Sequence, residues 1–201
     1  MKSKNKKDDL NIIKQAANLY EKNLNNKTLL FIYLNRKNNK IEFYEVTFKD
    51  TDFKHLTGTT TPISSRMFYR KALTNTLKIE DFDYKDNNTN LKLDNIIRGM
   101  EINKYARMIG CFENNRKYLT LDKVAGTQYL SIGFDSDKNY NYPKTFLVGD
   151  IRKLTIGKPN RVLCVLSKNI KDIKYEQIVY IAKNVDIEKL KCNKEIQEKL
   201  S

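Results

Sequence analysis

The stretch from Thr28 to Phe48 constrains the fold of this chain more than any other. Thr28 to Leu34 reads Thr-Leu-Leu-Phe-Ile-Tyr-Leu, apolar and rich in β-formers. Ile41 to Phe48 alternates apolar and polar residues apart from Tyr44. Between the two runs lies the polar segment Arg36-Lys37-Asn38-Asn39-Lys40. Two such runs around an Asn-bearing turn form a β-hairpin, because Asn tolerates the left-handed backbone that a tight turn demands. The rest of the chain must extend this hairpin into a sheet and cover its apolar face.

Helical periodicity supplies the cover. Leu10, Ile13, Ala17, Tyr20 and Leu24 step by three and four within residues 8–26 and form one apolar stripe. Asp8 and Asp9 suit the positive start of that helix, and Asn25-Asn26 its end. A second helix is expected from Ser64 or Ser65, as N-cap, to Leu73, with Met67 and Phe68 inward and Arg66, Arg70 and Lys71 outward. After a polar connector at residues 83–90, Leu93, Ile96, Ile97 and Met100 predict a third helix over 91–109. Gly99 inside it costs about 1 kcal/mol relative to Ala.

Strands cluster late. Residues 118–121, 128–134, 144–148, 161–166 and 177–182 read as short strands, with a polar loop over 135–142 ending at Pro143. Their spacing predicts an antiparallel meander, and Asp186 suits the cap of a last helix running to Leu200. The fold class expected is α+β, an antiparallel sheet packed against N-terminal and central helices. A single domain over 1–201 is expected, with its core at 8–185 and a C-terminal helix or tail at 186–201.

Charge narrows the partner. Thirty-eight Lys and Arg against 24 Asp and Glu leave a net +14. From Lys138 to Lys174, nine cations face only Asp150 and Asp172. A bias of codons toward Lys, Asn and Ile accounts for abundance more easily than for that local imbalance. A face this basic suits a polyanion, of which nucleic acid is the commonest. No apolar run approaches the roughly 18 residues of a membrane helix. The basic start Met-Lys-Ser-Lys has no apolar segment behind it, so a cytoplasmic protein without a membrane partner is expected. Cys111, Cys164 and Cys192 are too few and too scattered for a disulfide framework or, with one histidine, a zinc site. Cys164, inside Val162–Leu166, reads as a buried small hydrophobe. An all-carboxylate Mg²⁺ site needs few residues and is left open.

The chain's one histidine, His55, follows the hairpin within Phe53-Lys54-His55-Leu56-Thr57-Gly58. Imidazole titrates near neutrality and is the natural proton-transfer group, although a lone histidine is more often a packing residue. RNA carries its own nucleophile, the 2′-hydroxyl, so strand cleavage needs only a base, an acid and cations for the developing phosphorane charge. His55 suits the acid or base role. Arg66, Arg70, Lys144 and Arg152 suit the phosphate, and Thr145 and Tyr69 offer positioning hydroxyls. Each also has a plain structural role as solvated cation, packing tyrosine or strand threonine.

Three segments resemble the phage- and mobile-element-associated nucleases of the BECR (barnase–EndoU–colicin–RelE) group. They are Phe53–Gly58 after a hairpin, the helical Phe68-Tyr69-Arg70-Lys71-Ala72-Leu73, and Tyr142-Pro143-Lys144-Thr145-Phe146-Leu147 late in the chain. The likeness spans roughly residues 8–185. It implies a small ribonuclease that uses no metal or other cofactor, acting as a toxin or conflict effector with a cognate immunity protein as partner. It carries catalytic roles to His55 and Thr145, and with them Arg66 and Arg70; Thr145 stands where Ser is commoner. Lys144, Arg152, Lys153, Arg161 and Tyr69 are the expected nucleic-acid contacts. The arrangement expected is His55 and Thr145 facing one positively charged hollow.

Two readings compete with an enzyme. A non-catalytic nucleic-acid-binding protein would stack bases on Tyr118, Tyr129, Tyr140 and Tyr142, which interleave with cations. A protein inhibitor of a host nucleic-acid enzyme would place its basic face in that enzyme's groove.

Overall fold

The computed structural model of the chain describes residues 5–114, 119–191 and 194–200. Helix α1 (Lys6–Asn23) starts where the Asn5 side chain accepts from the Lys7 amide, with Asp8 and Asp9 in the first turn. Its stripe of Leu10, Ile13, Ala17 and Tyr20 is buried. The hairpin follows as β1 (Lys27–Asn35) and β2 (Lys40–Phe48), in unbroken register from Lys27↔Phe48 to Asn35↔Lys40. Asn39 takes the left-handed turn position at φ 55°.

Next come α2 (Phe53–Thr57), β3 (Thr59–Thr60), α3 (Ser65–Leu73), β4 (Asp83–Tyr84), α4 (Thr89–Gly99) and α5 (Ile102–Tyr105). The later chain forms β5 (Met108–Cys111), β6 (Lys123–Gly126), β7 (Leu130–Ser136), β8 (Asn141–Val148), β9 (Asn160–Asn169) and β10 (Gln177–Ile181), then α6 (Ile187–Lys191) and α7 (Lys194–Leu200). Strands β3 and β4 pair apart from the rest.

The main sheet is antiparallel and runs β2-β1-β9-β5-β6-β7-β8, with β10 also on β9. It is an α+β fold, as expected. The meander holds only from β5 to β8. Strand β9 leaves sequence order and inserts beside β1, pairing Lys27↔Asn169 through Leu34↔Arg161. The physical reason is burial: Val162 to Ser167 of β9 and Thr28 to Tyr33 of β1 are buried on both faces, which an edge strand could not achieve. Strands β5 and β10 share the far edge of β9.

The sheet is curled, so that β2 and β8, at opposite ends of the order, meet. Asn141 Nδ2 donates to the Glu45 carbonyl at 2.7 Å across this closure. Phe134 sits inside the curl against Phe31, Tyr44 and Phe48, with centroids 5.9–6.4 Å apart. One face of the sheet packs on α1, α3 and α4 in the main core. The reverse face carries two smaller cores: one takes Leu190 and Ile196 against β1 and β9, and the other holds Phe112, Val124 and Leu154.

Five expectations need correction. Met67, expected inward, is 47% exposed on α3. The third helix stops at Gly99, and Met108–Cys111 is a strand, not a helix end. The helical spacing of apolar residues lapses after Met100, at Asn103 and Lys104, and Ile102 buries instead on the separate short helix α5. The strand expected at 118–121 is absent from 119–121, where the Asn114 side chain accepts from the Leu121 amide and donates to its carbonyl, both at 3.0 Å, in place of a ladder. Tyr118 lies outside the described residues, and the strand there is β6. The loop expected over 135–142 is shorter, since β7 runs to Ser136 and β8 begins at Asn141. Pro143 fits inside β8 because the register slips beside it, between Gly133 and Phe134. The last helix is two, α6 and α7, with the Asp186 carboxylate accepting from the Glu188 amide at 3.0 Å. Cys164 is buried, as expected, whereas Cys192 lies outside the described residues. Among the described residues no helix is long and apolar enough to cross a membrane.

Gly99 has a packing reason. A Cβ there would stand 2.6 Å from Phe146 Cε2. Only glycine lets α4 approach β8 this closely, which offsets its poor helix propensity.

Candidate active site

His55 follows the hairpin, as expected, and rides on α2, a single helical turn. The turn forms because Phe53 and Leu56 bury on one side while Lys54 and His55 point away. Asp52 precedes it, its carboxylate accepting from the Lys49 amide at 2.8 Å and its carbonyl from the His55 amide at 3.0 Å. Burial pushes the Asp52 pKa up to about 6. Gly58 ends the turn at φ 73°, a left-handed conformation suited to glycine.

The His55 imidazole makes no hydrogen bond among the described residues. Its residue is exposed, yet enough protein surrounds the ring to disfavour its charged form. The Lys54 and Lys85 ammoniums act in the same direction, so its pKa lies below the ordinary 6.5. At neutral pH this favours the neutral ring, able to accept a proton.

Helix α4 brings a residue that the sequence reading did not single out. Lys92 Nζ donates to Thr145 Oγ1 on β8 at 3.0 Å. Its stem lies against α2, where a Cβ on Gly58 would stand 2.8 Å from Lys92 Cδ. Burial lowers the Lys92 pKa; Lys85 adds to this and Asp86 opposes it. Thr89, in the first turn of α4, ties the elements together. Its Oγ1 donates to the Gly58 carbonyl at 2.6 Å and accepts from the Lys85 and Asp86 amides at 3.2 and 3.3 Å.

The loop before α4, α4 itself and β8 border a pocket of about 490 Å³ whose polar lining is Lys85, Asp86, Asn88, Lys92 and Thr145, with Leu91 and Leu147 beside them. His55 does not line it. It stands on α2, which packs against both α4 and β8, and Lys85 acts on His55 and Lys92 alike. Thr145 is 7% exposed, and its hydroxyl leans weakly on the Phe146 carbonyl at 3.4 Å.

The other anticipated residues lie elsewhere. Arg66 Nε is bonded to Asp50 at 2.9 Å and lines a separate hollow with Glu21 and Lys49. Arg70 is exposed on the same helix. Tyr69 is 2% exposed and its hydroxyl donates to Glu21. Lys144 is held by Asp135 at 2.6 Å and the Thr120 carbonyl at 3.0 Å. Arg152 is clasped by Asp150, Lys153 is exposed beside it, and Arg161 donates to the Lys183 carbonyl at 2.9 Å. Of the aromatics, Tyr129 is the open one at 71% exposure, whereas Tyr140 sits under the Lys49 ammonium. No group of three or more His, Cys, Asp or Glu is placed to hold a metal ion among the described residues.

A family model for phage-Barnase-EndoU-ColicinE5/D-RelE like nuclease 4 matches residues 12–184. The chain belongs to this nuclease family. As a BECR-like nuclease it has a nucleic acid as the substrate class its family suggests, and the matched span contains α2, α4, β8 and every residue that lines the pocket. No curated protein and no solved structure matches the chain. Within this BECR-like fold Lys92 and Lys85 had no distinguishing signal in the sequence. Lys92 lies between Leu91 and Leu93 on an amphipathic helix, and a lysine so placed is usually solvated.

Proposed function

We propose that the chain is an endoribonuclease acting by general acid–base catalysis at the pocket bordered by α4 and β8, with His55 on the neighbouring α2. The observation that carries this reading is the Lys92 Nζ–Thr145 Oγ1 bond in a pocket beside a histidine biased toward its neutral form. His55 accepts the proton of the 2′-hydroxyl as its oxygen attacks phosphorus. The bond from phosphorus to the 5′-oxygen breaks, and that oxygen takes a proton from the Lys92 ammonium, whose lowered pKa makes it a better donor than an ordinary lysine. Lys85 and the Thr145 hydroxyl meet the charge on the phosphorane oxygens. The products are a 2′,3′-cyclic phosphate and a 5′-hydroxyl.

No metal takes part in these steps. Lys85 and Lys92 take the cation role first assigned to Arg66 and Arg70, because Arg66 is engaged by Asp50 in another hollow. A role as a phage or mobile-element effector belongs to the same proposal; the word phage in the family description is what supports it. The test is cleavage of RNA in EDTA by the wild type and by His55→Ala, with end-group analysis. Cyclic-phosphate ends and a loss of about 10²–10⁴-fold in the variant are expected. Equal rates for the two proteins would remove His55 from the mechanism.

A further inference from the structure

We infer that a second hollow, between the β1–β2 turn and residues 151–159, holds the phosphate backbone of the same RNA strand some nucleotides away from the scissile bond. The inference rests on the proposed nucleic-acid substrate, but concerns a different surface. The hollow measures about 630 Å³ and is lined by Arg36, Arg152 and Lys158 with Met108, Thr155 and Pro159. Among the described residues no carboxylate lines it. Arg152 is chelated by Asp150 at 2.6–3.0 Å, so its charge is largely answered. Arg36 and Lys158 are exposed and have no carboxylate partner among the described residues.

Their backbones are held in place. The Arg36 amide donates to Asn160 Oδ1 at 3.0 Å, anchoring the end of β1 to the start of β9. Thr155 Oγ1 donates to the Gly157 carbonyl at 3.0 Å, and Gly157 turns at φ 69° to present Lys158. Ile156 beside them is 61% exposed and offers an apolar shelf to a sugar or base. Two unanswered cations on a rigid rim with no anion in the lining fit a phosphodiester chain better than a neutral ligand.

The sheet links this hollow to the first pocket. Thr155 packs over Gly110, where a Cβ would stand 2.7 Å from Thr155 Cγ2. Gly110 pairs with Val124, Val124 with Gly133, and Gly133 with Thr145. Paired residues of antiparallel strands share a face, so Thr145 and Gly110 lie on one side of the sheet. Three strand steps of about 4.8 Å separate them by roughly 14 Å. That is about four phosphates of a stacked strand at ~3.4 Å each. A strand longer than this reaches both places; a dinucleotide reaches only one.

The test uses an uncleavable 2′-O-methyl RNA of about twelve nucleotides, well beyond that span, with affinity read by fluorescence anisotropy across a salt series. Arg36→Ala combined with Lys158→Ala is expected to weaken binding about tenfold at ~0.1 M salt. It should also flatten the salt slope by about 1.4, two contacts at ~0.7 each for a single strand. Lys171→Ala combined with Lys174→Ala removes the same net charge from the β9–β10 turn and is expected to change neither as much. Wild-type affinity and slope in the Arg36/Lys158 variant, or an equal loss in the control, would overturn the second site. Absence of cleavage by the wild type would sink the proposed reaction instead, and the binding comparison would still decide this one. In cleavage, the Arg36/Lys158 variant should raise KM for the long strand and leave the rate on a dinucleotide unchanged.

Discussion

Lys92 on α4 and Thr145 on β8, 53 positions apart, meet through an Nζ–Oγ1 hydrogen bond of 3.0 Å. The bond spans a helix and the edge of a sheet, and the Lys92 stem also rests on Gly58 at the end of the histidine-bearing turn. Three separately encoded segments therefore share one side chain. A buried ammonium is costly unless partnered, and this one is partnered by a neutral hydroxyl in an open pocket, where a phosphate would answer it better.

Lys92→Met keeps the aliphatic stem and removes the charge. A loss of about 10²–10⁴-fold in kcat/KM on RNA is expected, the range for removing a general acid. Stability in urea should hold or rise, because a desolvated amine is lost. A variant that melts earlier yet cleaves normally would make Lys92 a packing residue only.

The pH profile carries a sign. As a base, His55 works in its neutral form, so kcat/KM should rise with pH through its pKa, at lower pH than an unperturbed imidazole would set. Burial first, then Lys54 on its own turn and Lys85 from the loop before α4, hold that pKa below 6.5. Lys85→Ala removes a cation that opposes protonation, so the pKa rises and the acid limb moves to higher pH. The chain has one histidine, so a single imidazole resonance followed by NMR reports the same shift. Movement of the limb to lower pH would contradict the assignment.

Gly99→Ala improves helix propensity by about 1 kcal/mol yet should destabilise the protein, since the new methyl meets the Phe146 ring at 2.6 Å. Overpacking of this kind typically costs about 1–3 kcal/mol. Pushing α4 from β8 also separates Lys92 from Thr145, so cleavage should fall along with the urea midpoint. Full activity with lowered stability would show that the spacing of α4 and β8 is not what positions the amine.

Much of the fold was legible. The hairpin, the α1 stripe and the Ser64 cap, whose Oγ accepts from the Met67 amide at 3.2 Å, all follow from local pattern and local hydrogen bonding. The end of α4 was read past. Apolar residues keep helical spacing only from Leu93 through Met100 and lapse at Asn103 and Lys104, a weak mark beside the absence of any Pro or turn motif between Met100 and Met108. At the site, His55 and Thr145 stood out because an imidazole is rare here and a Pro-x-Thr-Phe strand is a motif. Lys92 did not, because a lysine on an amphipathic helix looks the same whether it faces water or a neighbouring strand.

Sequence alone determined which faces of the early helix and hairpin are buried, the α+β class, the basic character and the family. Those depend on periods of two and 3.6 residues and on short motifs, which are local properties. Tertiary structure decided that β9 inserts beside β1, that α4 stops where it can lie on Phe146, and that an ordinary-looking lysine ends against Thr145. Burial specifies that a face must be covered, not by what, and the choice of cover is made only when distant segments meet.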